Sequence, residues 1–347
     1  MSELIEGLPD AVALRCLAMV PFYLYPKLEL VSRPWQAAIR SSDLFTTRKE
    51  LGLSEDLLCV CAYQPENTWQ LYDPLGDHWM TLPLLPSKIG HLANFSVVST
   101  AQKLFVLGGG SDAVDPVTGE RYGCFATDEV WVYDPVARQW ATCAPMLVPR
   151  SMFACCVLEG KIIVAGGFTS SRRPTSQAEI YNPEENTWAP IPDLSHAHDS
   201  PCYGVVYKGK MHVLHRSLST MQVLISDKSG FKWVIENDCW LQGPAAILND
   251  EFYMMCHEHI FKQEAAKWKQ IVSVSEFRGR IGFAMIGAKG KIYIIGGVAG
   301  PGSQVQGFQP LSDVDVLTVD NNPPAWHKAS PMTKCHGTII GCALLKL

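Results

Sequence analysis

The sequence predicts a mainly β protein, a six-bladed β-propeller preceded by a short helical segment. Three observations carry this. First, a turn, a β-prone apolar run and a glycine pair recur at QKLFVLGG (Gln102–Gly109), GKIIVAGG (Gly160–Gly167) and GKIYIIGG (Gly290–Gly297). Each reads as a buried strand ending in a backbone turn that glycine permits. Second, an aromatic strand runs into an Asp/Asn-Pro turn and then a Trp at LYDPLGDHW (Leu71–Trp79), VYDPVARQW (Val132–Trp140) and IYNPEENTW (Ile180–Trp188). Proline fits such a turn and would disrupt a central strand, so it marks a hairpin. Third, the chain ends on a surplus strand, GTIIGCALLKL (Gly337–Leu347), while the first repeat unit lacks an opening one.

Taken along the chain, the helical segment comes first. EGLPDAVALRCLAMVP (Glu6–Pro21) opens with a Pro-Asp helix start, and Val12, Ala13, Cys16, Leu17 and Val20 form one expected apolar stripe. FYLYPKLELVSRPWQAAIRSSDLF (Phe22–Phe45) is also patterned as helix. So short a stretch cannot bury a core alone, so one apolar face needs a partner. The expected division is a helical unit over 1–46, a linker over 47–56 and the propeller over 57–347.

The repeat units follow. Tyr and Trp stand seven residues apart in Tyr72/Trp79, Tyr133/Trp140 and Tyr181/Trp188. The same spacing assigns Ser226/Trp233, Phe261/Trp268 and Val319/Trp326 to three divergent units. GKMHVLHR (Gly209–Arg216) and DEFYMMCH (Asp250–His257) read as glycine strands that have lost the pair, and EDLLCVCA (Glu55–Ala62) as the first unit's version. Six units over 57–347 give about 48 residues each, near the period of a bladed repeat. PMLVPRSMFACCVL (Pro145–Leu158) and PMTKCHGTIIGCAL (Pro331–Leu344) align without a gap, with His336 at the Arg150 position and Cys342 at the Cys156 position. The terminal strand is therefore expected to complete blade 1 and seal the ring, leaving no free edge there.

These units resemble the kelch family, whose blades carry an Arg before the first strand, a double glycine after the second, and a Tyr and Trp around the last turn. Arg150 and Arg280 each precede a glycine pair by sixteen residues, as that pattern implies. The resemblance is specific in blades 2, 3 and 6 and weak in blades 4 and 5. The first residues resemble an F-box, through Leu8-Pro9-Asp10, Leu17, Leu28, Leu30-Val31-Ser32, Trp35 and Leu44-Phe45. Pro34 departs from that pattern and is expected to shorten or kink the last helix. The whole layout resembles the F-box/kelch-repeat proteins expanded in plants, of the Skp-interacting partner kind. That resemblance implies a substrate receptor of an SCF ubiquitin ligase. Leu8, Pro9, Leu17, Leu28, Leu30, Val31 and Trp35 would then contact the Skp-type adaptor, and through it the cullin and RING subunits. The alternatives are a helical cap packed on the propeller, or a kelch interaction scaffold acting outside any SCF complex.

Composition narrows the function classes. Hydrophobic residues make up 47% and charged residues 18%, which suits a large packed core. The net charge is −5 with no long run of like charge, which argues against sequence-independent nucleic-acid binding. Neither a membrane-crossing apolar run nor a signal peptide is visible, so a soluble protein of the cytoplasm and/or nucleus is expected. The twelve cysteines include no CxxC pair and read as reduced, buried thiols. His257-Glu258-His259 and His196/His198 lack a third ligand, and GGGS (Gly108–Ser111) ends a strand without opening a helix. No catalytic residue, metal or cofactor is expected.

Specificity is expected in the propeller loops, above all Asp112–Asp128, Phe168–Ala178 and Val298–Asp313. One face would gather Arg121, Arg150, Arg172, Arg173 and Arg280 against an acidic or phosphorylated segment of an unidentified target protein. The other reading makes Arg150 and Arg280 structural parts of the repeat.

Overall fold

The computed structural model describes residues 3–111, 126–215, 221–227, 230–236, 243–264, 267–274, 277–300 and 307–347. Four short helices come first: α1 (Asp10–Ala18), α2 (Tyr25–Leu28), α3 (Arg33–Ile39) and α4 (Ser42–Glu50). Pro9 sits just before α1, and Ser32 and Ser41 cap α3 and α4 by accepting from Trp35 N and Leu44 N. Pro34 falls in the first turn of α3, where its missing N–H would be unpaired anyway. The stripe expected on α1 divides between two faces. Ala13 and Leu17 are buried, whereas Val12 and Cys16 are exposed. The first residues of the expected linker belong to α4, which runs to Glu50, and the first strand begins at Asp56.

Six four-stranded antiparallel sheets follow. Blade 2 consists of Ser96–Thr100, Lys103–Leu107, Val130–Asp134 and Gln139–Thr142, and blade 3 of Ala154–Leu158, Lys161–Ala165, Ala178–Asn182 and Thr187–Ile191. Blade 4 uses Cys202–Tyr207, Lys210–His215, Met221–Asp227 and Gly230–Glu236. Blade 5 uses Ala245–Leu248, Glu251–Cys256, His259–Glu264 and Lys267–Ser273. Blade 6 uses Ala284–Ala288, Lys291–Ile295, Val314–Thr318 and Ala325–Ala329. Blade 1 takes its second, third and fourth strands from Asp56–Gln64, Trp69–Asp73 and His78–Thr81, and its first from His336–Lys346.

That terminal strand runs antiparallel to Asp56–Gln64, from Asp56 facing Lys346 to Gln64 facing His336. Glu55 and Leu347 exchange both backbone hydrogen bonds beyond it, at 3.0 and 2.9 Å. On its flanks it lies against Ser96–Thr100 of blade 2 and Ala284–Ala288 of blade 6. A bulge changes the gapless alignment with blade 3. Cys156 faces Ile163, but the equivalent Cys59 faces Ala343, so Ala343 rather than Cys342 occupies that place.

Tyr72, Tyr133 and Tyr181 face Trp79, Trp140 and Trp188 across their hairpins, with ring centroids 4.9, 5.3 and 4.9 Å apart. In the other blades the facing residues are Leu224, Gln263 and Leu317, so the spacing rule misplaced Ser226, Phe261 and Val319. Those hairpins differ in length, and equal sequence spacing then no longer means equal pairing.

Apolar clusters fill the gap between each neighbouring pair of blades, blades 6 and 1 included. The cluster between blades 1 and 2 continues into the helical unit, joining Leu17, Phe22, Tyr25 and Phe45 to Leu57, Trp69 and Leu345. Buried thiols belong to this packing, and burial pushes the Cys59 and Cys155 thiols well above their ordinary value.

Polar contacts lock the helices to the propeller. Buried Arg48 donates to Ala18 O, Val20 O and Tyr25 OH at 2.7–2.9 Å and pairs with Glu55 at 3.0 Å. Glu55 also accepts from Phe22 N. Glu29 holds both Arg40 and Arg138, the latter in the last turn of blade 2. Tyr23 packs on His78 of blade 1 at 4.6 Å. The contacts of Glu29 and Tyr23 are with the turns joining third and fourth strands, so the helices sit at that end of the propeller. Burial outweighs Arg48 at Glu55 and raises its carboxyl. Removing the cation therefore leaves an ill-solvated acid. Arg48→Ala should cost about 3 kcal/mol in urea denaturation, and a cost below about 1 kcal/mol would mean that this pair does not hold the joint.

Candidate functional site

The first strands of all six blades begin at the opposite end of the propeller from the helices. There a repeated polar latch pins the chain entering each of several blades. In blade 3, Arg150 donates to Gly166 O at 2.9 Å, Gln177 O at 3.0 Å and Glu179 Oε1 at 2.7 Å. Glu179 also accepts from the backbone N–H of Leu147 and Val148. In blade 6, Arg280 donates to Gly296 O at 2.8 Å and Asp315 Oδ2 at 2.6 Å. In blade 1, Gln70 stands in for the acid, donating to Thr333 Oγ1 and accepting from the N–H groups of Lys334 and Cys335. The acid or amide lies two residues before the residue that faces the Trp. Sequence reasoning passed over this position. Its signal is a polar residue between apolar neighbours at the second position of the third strand, at Gln70, Glu179, Gln222 and Asp315.

The glycine pair is required by the same packing. Gly108 lies at φ 59°, and a Cβ there would meet Arg150 O at 2.6 Å. The backbone entering one blade thus crosses directly over the glycines of the blade before it.

Two of the five arginines expected on a basic face are turned into the fold. Arg150 is wholly buried and Arg280 is 9% exposed, and each is bound to a carboxylate of its own blade. Neither offers a guanidinium to a target, which corrects the target-binding assignment of both. Arg172 and Arg173 are exposed in the turn after the second strand of blade 3, where Thr169 N donates to Arg173 O at 2.8 Å. Arg121 lies outside the described residues.

A cavity of about 840 Å³ opens at this end, between the starts of the first strands. Ser96, Met152, Tyr203, His215, Arg280 and Thr338 help to line it, together with apolar residues from every blade, and none of the lining residues among those described is acidic. Beside it, Arg280–Ile281 pairs with Val298–Ala299, which pairs with Gln309–Pro310, making a small ladder on blade 6. Leu92–Ala93 with Gly110–Ser111 makes a shorter one on blade 2.

A second surface is the helical unit. Pro9, Leu30 and Val31 are exposed and Leu8 is half-buried. Leu28 and Trp35 are half-buried and pack against the core, and Trp35 Nε1 donates to Leu4 O at 2.7 Å. Leu17 points inward and is 2% exposed, so it cannot touch a partner in this arrangement. Val12 and Met19 are exposed on α1 and its end, and sequence reasoning did not assign them to the surface.

Comparison with known proteins agrees with both parts of the chain. A family model for the kelch motif matches residues 91–147 and 149–195. The F-box/kelch-repeat protein SKIP30 of Arabidopsis thaliana is 58% identical over the whole of this chain and 98% of its own length. The chain belongs to the F-box/kelch-repeat family. A second Arabidopsis thaliana relative, F-box/kelch-repeat protein At1g16250, is 28% identical over 99% of this chain and 97% of its own. Among solved structures, YjhT aligns with a TM-score of 0.58 over 75% of this chain and 91% of its own, at 14% identity, a likeness of fold.

Within this F-box/kelch-repeat protein the kelch model matches blades 2 and 3, where glycine pair and Tyr/Trp pair are both present. In blade 4 His215 stands where blade 3 has the first glycine of its pair, and Leu224 rather than a tyrosine faces Trp233. Burial and the neighbouring His198 push the His215 imidazole down to about 4, and burial lowers His198 and His212 as well.

Two predictions follow from these groups. Arg150→Ala strands Glu179 inside the propeller and should cost about 3–5 kcal/mol in urea denaturation. Changing Arg172 and Arg173 to Ala should leave stability within about 0.5 kcal/mol. The second prediction concerns pH. An unfolded histidine titrates near 6.5, so on acidification the unfolded chain takes up protons before folded His215 does. Stability should be full above about pH 6.5 and fall between about 6.5 and 4, His215 alone contributing at most about 1.4 kcal/mol per pH unit. His215→Phe should flatten that part of the denaturation-midpoint profile.

Proposed function

We propose that this protein is the substrate-recognition subunit of an SCF-type E3 ubiquitin ligase. The helical unit binds a Skp-type adaptor, and through it the cullin and RING subunits. The propeller holds a target protein for ubiquitination, in the cytoplasm or nucleus, and carries out no chemistry itself.

The observation behind this reading is the placing of apolar surface. Among the described residues, four of the twelve exposed large apolar side chains are Val12, Met19, Leu30 and Val31, all within the first thirty-one residues. Leu30 is 85% exposed and Val31 60%. The unit also buries a full set of core residues against the propeller, so it does not need these four for its own stability. Exposed apolar groups concentrated in one small unit mark a contact surface. Leu8 and Pro9 come just before α1, the helix that carries Val12. The propeller cavity opens at the far end of the molecule, which leaves both surfaces accessible at once.

The buried and exposed members of the expected adaptor set should respond differently. Leu30→Asp with Val31→Asp should reduce capture of purified adaptor at least tenfold while leaving the thermal midpoint unchanged. Leu17→Ala should instead lower folding stability by about 2–5 kcal/mol. Full adaptor capture by the Leu30/Val31 variant would reject the reading.

A further inference from the structure

The fourth strand of each blade stands at the outer end of its sheet. Proteins blunt such edges against pairing with other chains by keeping them short, or with proline, lysine or a bulge. Five of the six edges here are blunted. His78–Thr81 and Gln139–Thr142 have four residues each, and Ala325–Ala329 has five. Thr187–Ile191 contains Pro190. Lys267–Ser273 carries Lys267 and Lys269 on one face, and a bulge interrupts its pairing with the strand before it. The edge of blade 4, Gly230–Glu236, has seven residues in unbroken register with Met221–Asp227, with no proline and no second lysine.

This edge also exposes apolar side chains. Val234 is 37% and Ile235 39% exposed, on opposite faces of the strand. Lys232, Val234 and Glu236 share one face, and Phe231, Trp233 and Ile235 share the other. Trp233 Nε1 donates to Pro192 O at 2.7 Å, just after the last strand of blade 3, which holds the ring on that side.

The edge is complementary to itself. Laid antiparallel on a second copy about Val234, it brings Val234 opposite Val234, Lys232 opposite Glu236 and Trp233 opposite Ile235. Twofold symmetry makes each of the last two contacts twice. Opposite charges, and an aromatic ring against a β-branched chain, are both favourable cross-strand pairs. Centring the pairing on Trp233 instead would set Lys232 against Val234, so charge selects the register. Blade 4 stands three blades from blade 1 in either direction round the ring. Two copies joined at this edge therefore keep their helical units away from the joint.

We propose that two copies of this chain pair through the outer edge of blade 4, antiparallel about Val234, so that one sheet runs through both propellers. An edge of this length makes a small interface, so the dimer is reversible. The inference goes beyond the receptor reading and does not depend on it. Such a dimer carries two helical units and two cavities.

Sedimentation velocity of the full chain tests this, run at low salt to spare the charge pairs and over about 1–300 μM, where small interfaces dissociate. The parent should pass from monomer to dimer across that series. Lys232→Glu sets Glu against Glu twice, and Glu236→Lys sets Lys against Lys twice. Each alone should weaken association about tenfold. Mixing the two single variants, or combining both changes in one chain, restores opposite charges and should bring association back to within about threefold of the parent. Leu30→Asp with Val31→Asp should change it less than about twofold, since those residues lie on the helical unit, away from this edge. A thermal melt checks that each variant, all at exposed positions, folds like the parent. A parent that stays monomeric throughout overturns the proposal. So do single reversals that associate like the parent, reversed pairs that fail to recover, or association lost in the Leu30/Val31 variant. Adaptor capture is read separately, so failure of the dimer leaves the receptor reading untouched.

Discussion

The pairing of the last strand with the first repeat unit is the constraint on which the molecule depends. A series of antiparallel sheets laid side by side leaves unpaired edges and half-covered faces where the series stops. Here His336–Lys346 supplies blade 1 with its first strand and wedges between blades 2 and 6. Leu345 and Leu347 then belong to the same apolar cluster as the helices, and Glu55 is bound at once to Leu347, Phe22 and Arg48. One strand pairing thus supports blade 1, the neighbouring interblade cores and the seat of the helical unit.

Much of this could be read from the residues. The glycine pairs, the Tyr/Trp hairpins of blades 1 to 3 and the surplus terminal strand are local patterns with local causes, and each appears where the pattern puts it. The errors arise where a three-dimensional fact has no local signature. Hairpin length decides what faces Trp233, Trp268 and Trp326, and spacing alone cannot report it. A bulge shifts Cys342 from the place a gapless alignment assigns. On α1, Val12 and Ala13 are both apolar, and only the presence of the propeller on one side buries one and exposes the other.

The candidate sites were harder to read for the same reason. An arginine in a repeat looks identical whether it meets a ligand or a neighbouring strand. Arg150 and Arg280 became legible as latches only when Glu179 and Asp315 were found against them. Blade 4 is the inverse case. His215 and Gln222 attract no notice in the sequence, yet register places them where Gly166 and Glu179 stand in blade 3.

The order in which the chain is synthesised gives the terminal pairing another meaning. The helices emerge from the ribosome first, but Leu345 and Leu347, which complete their seat, emerge after the strands of the other five blades. Until then the helical unit has an unfinished floor, and Arg48 and Glu55 have no settled burial. A chain interrupted before the final strand would carry the helices without Leu345 and Leu347 beneath them. The seating of the amino-terminal helices is thereby tied to a strand at the far end of the chain.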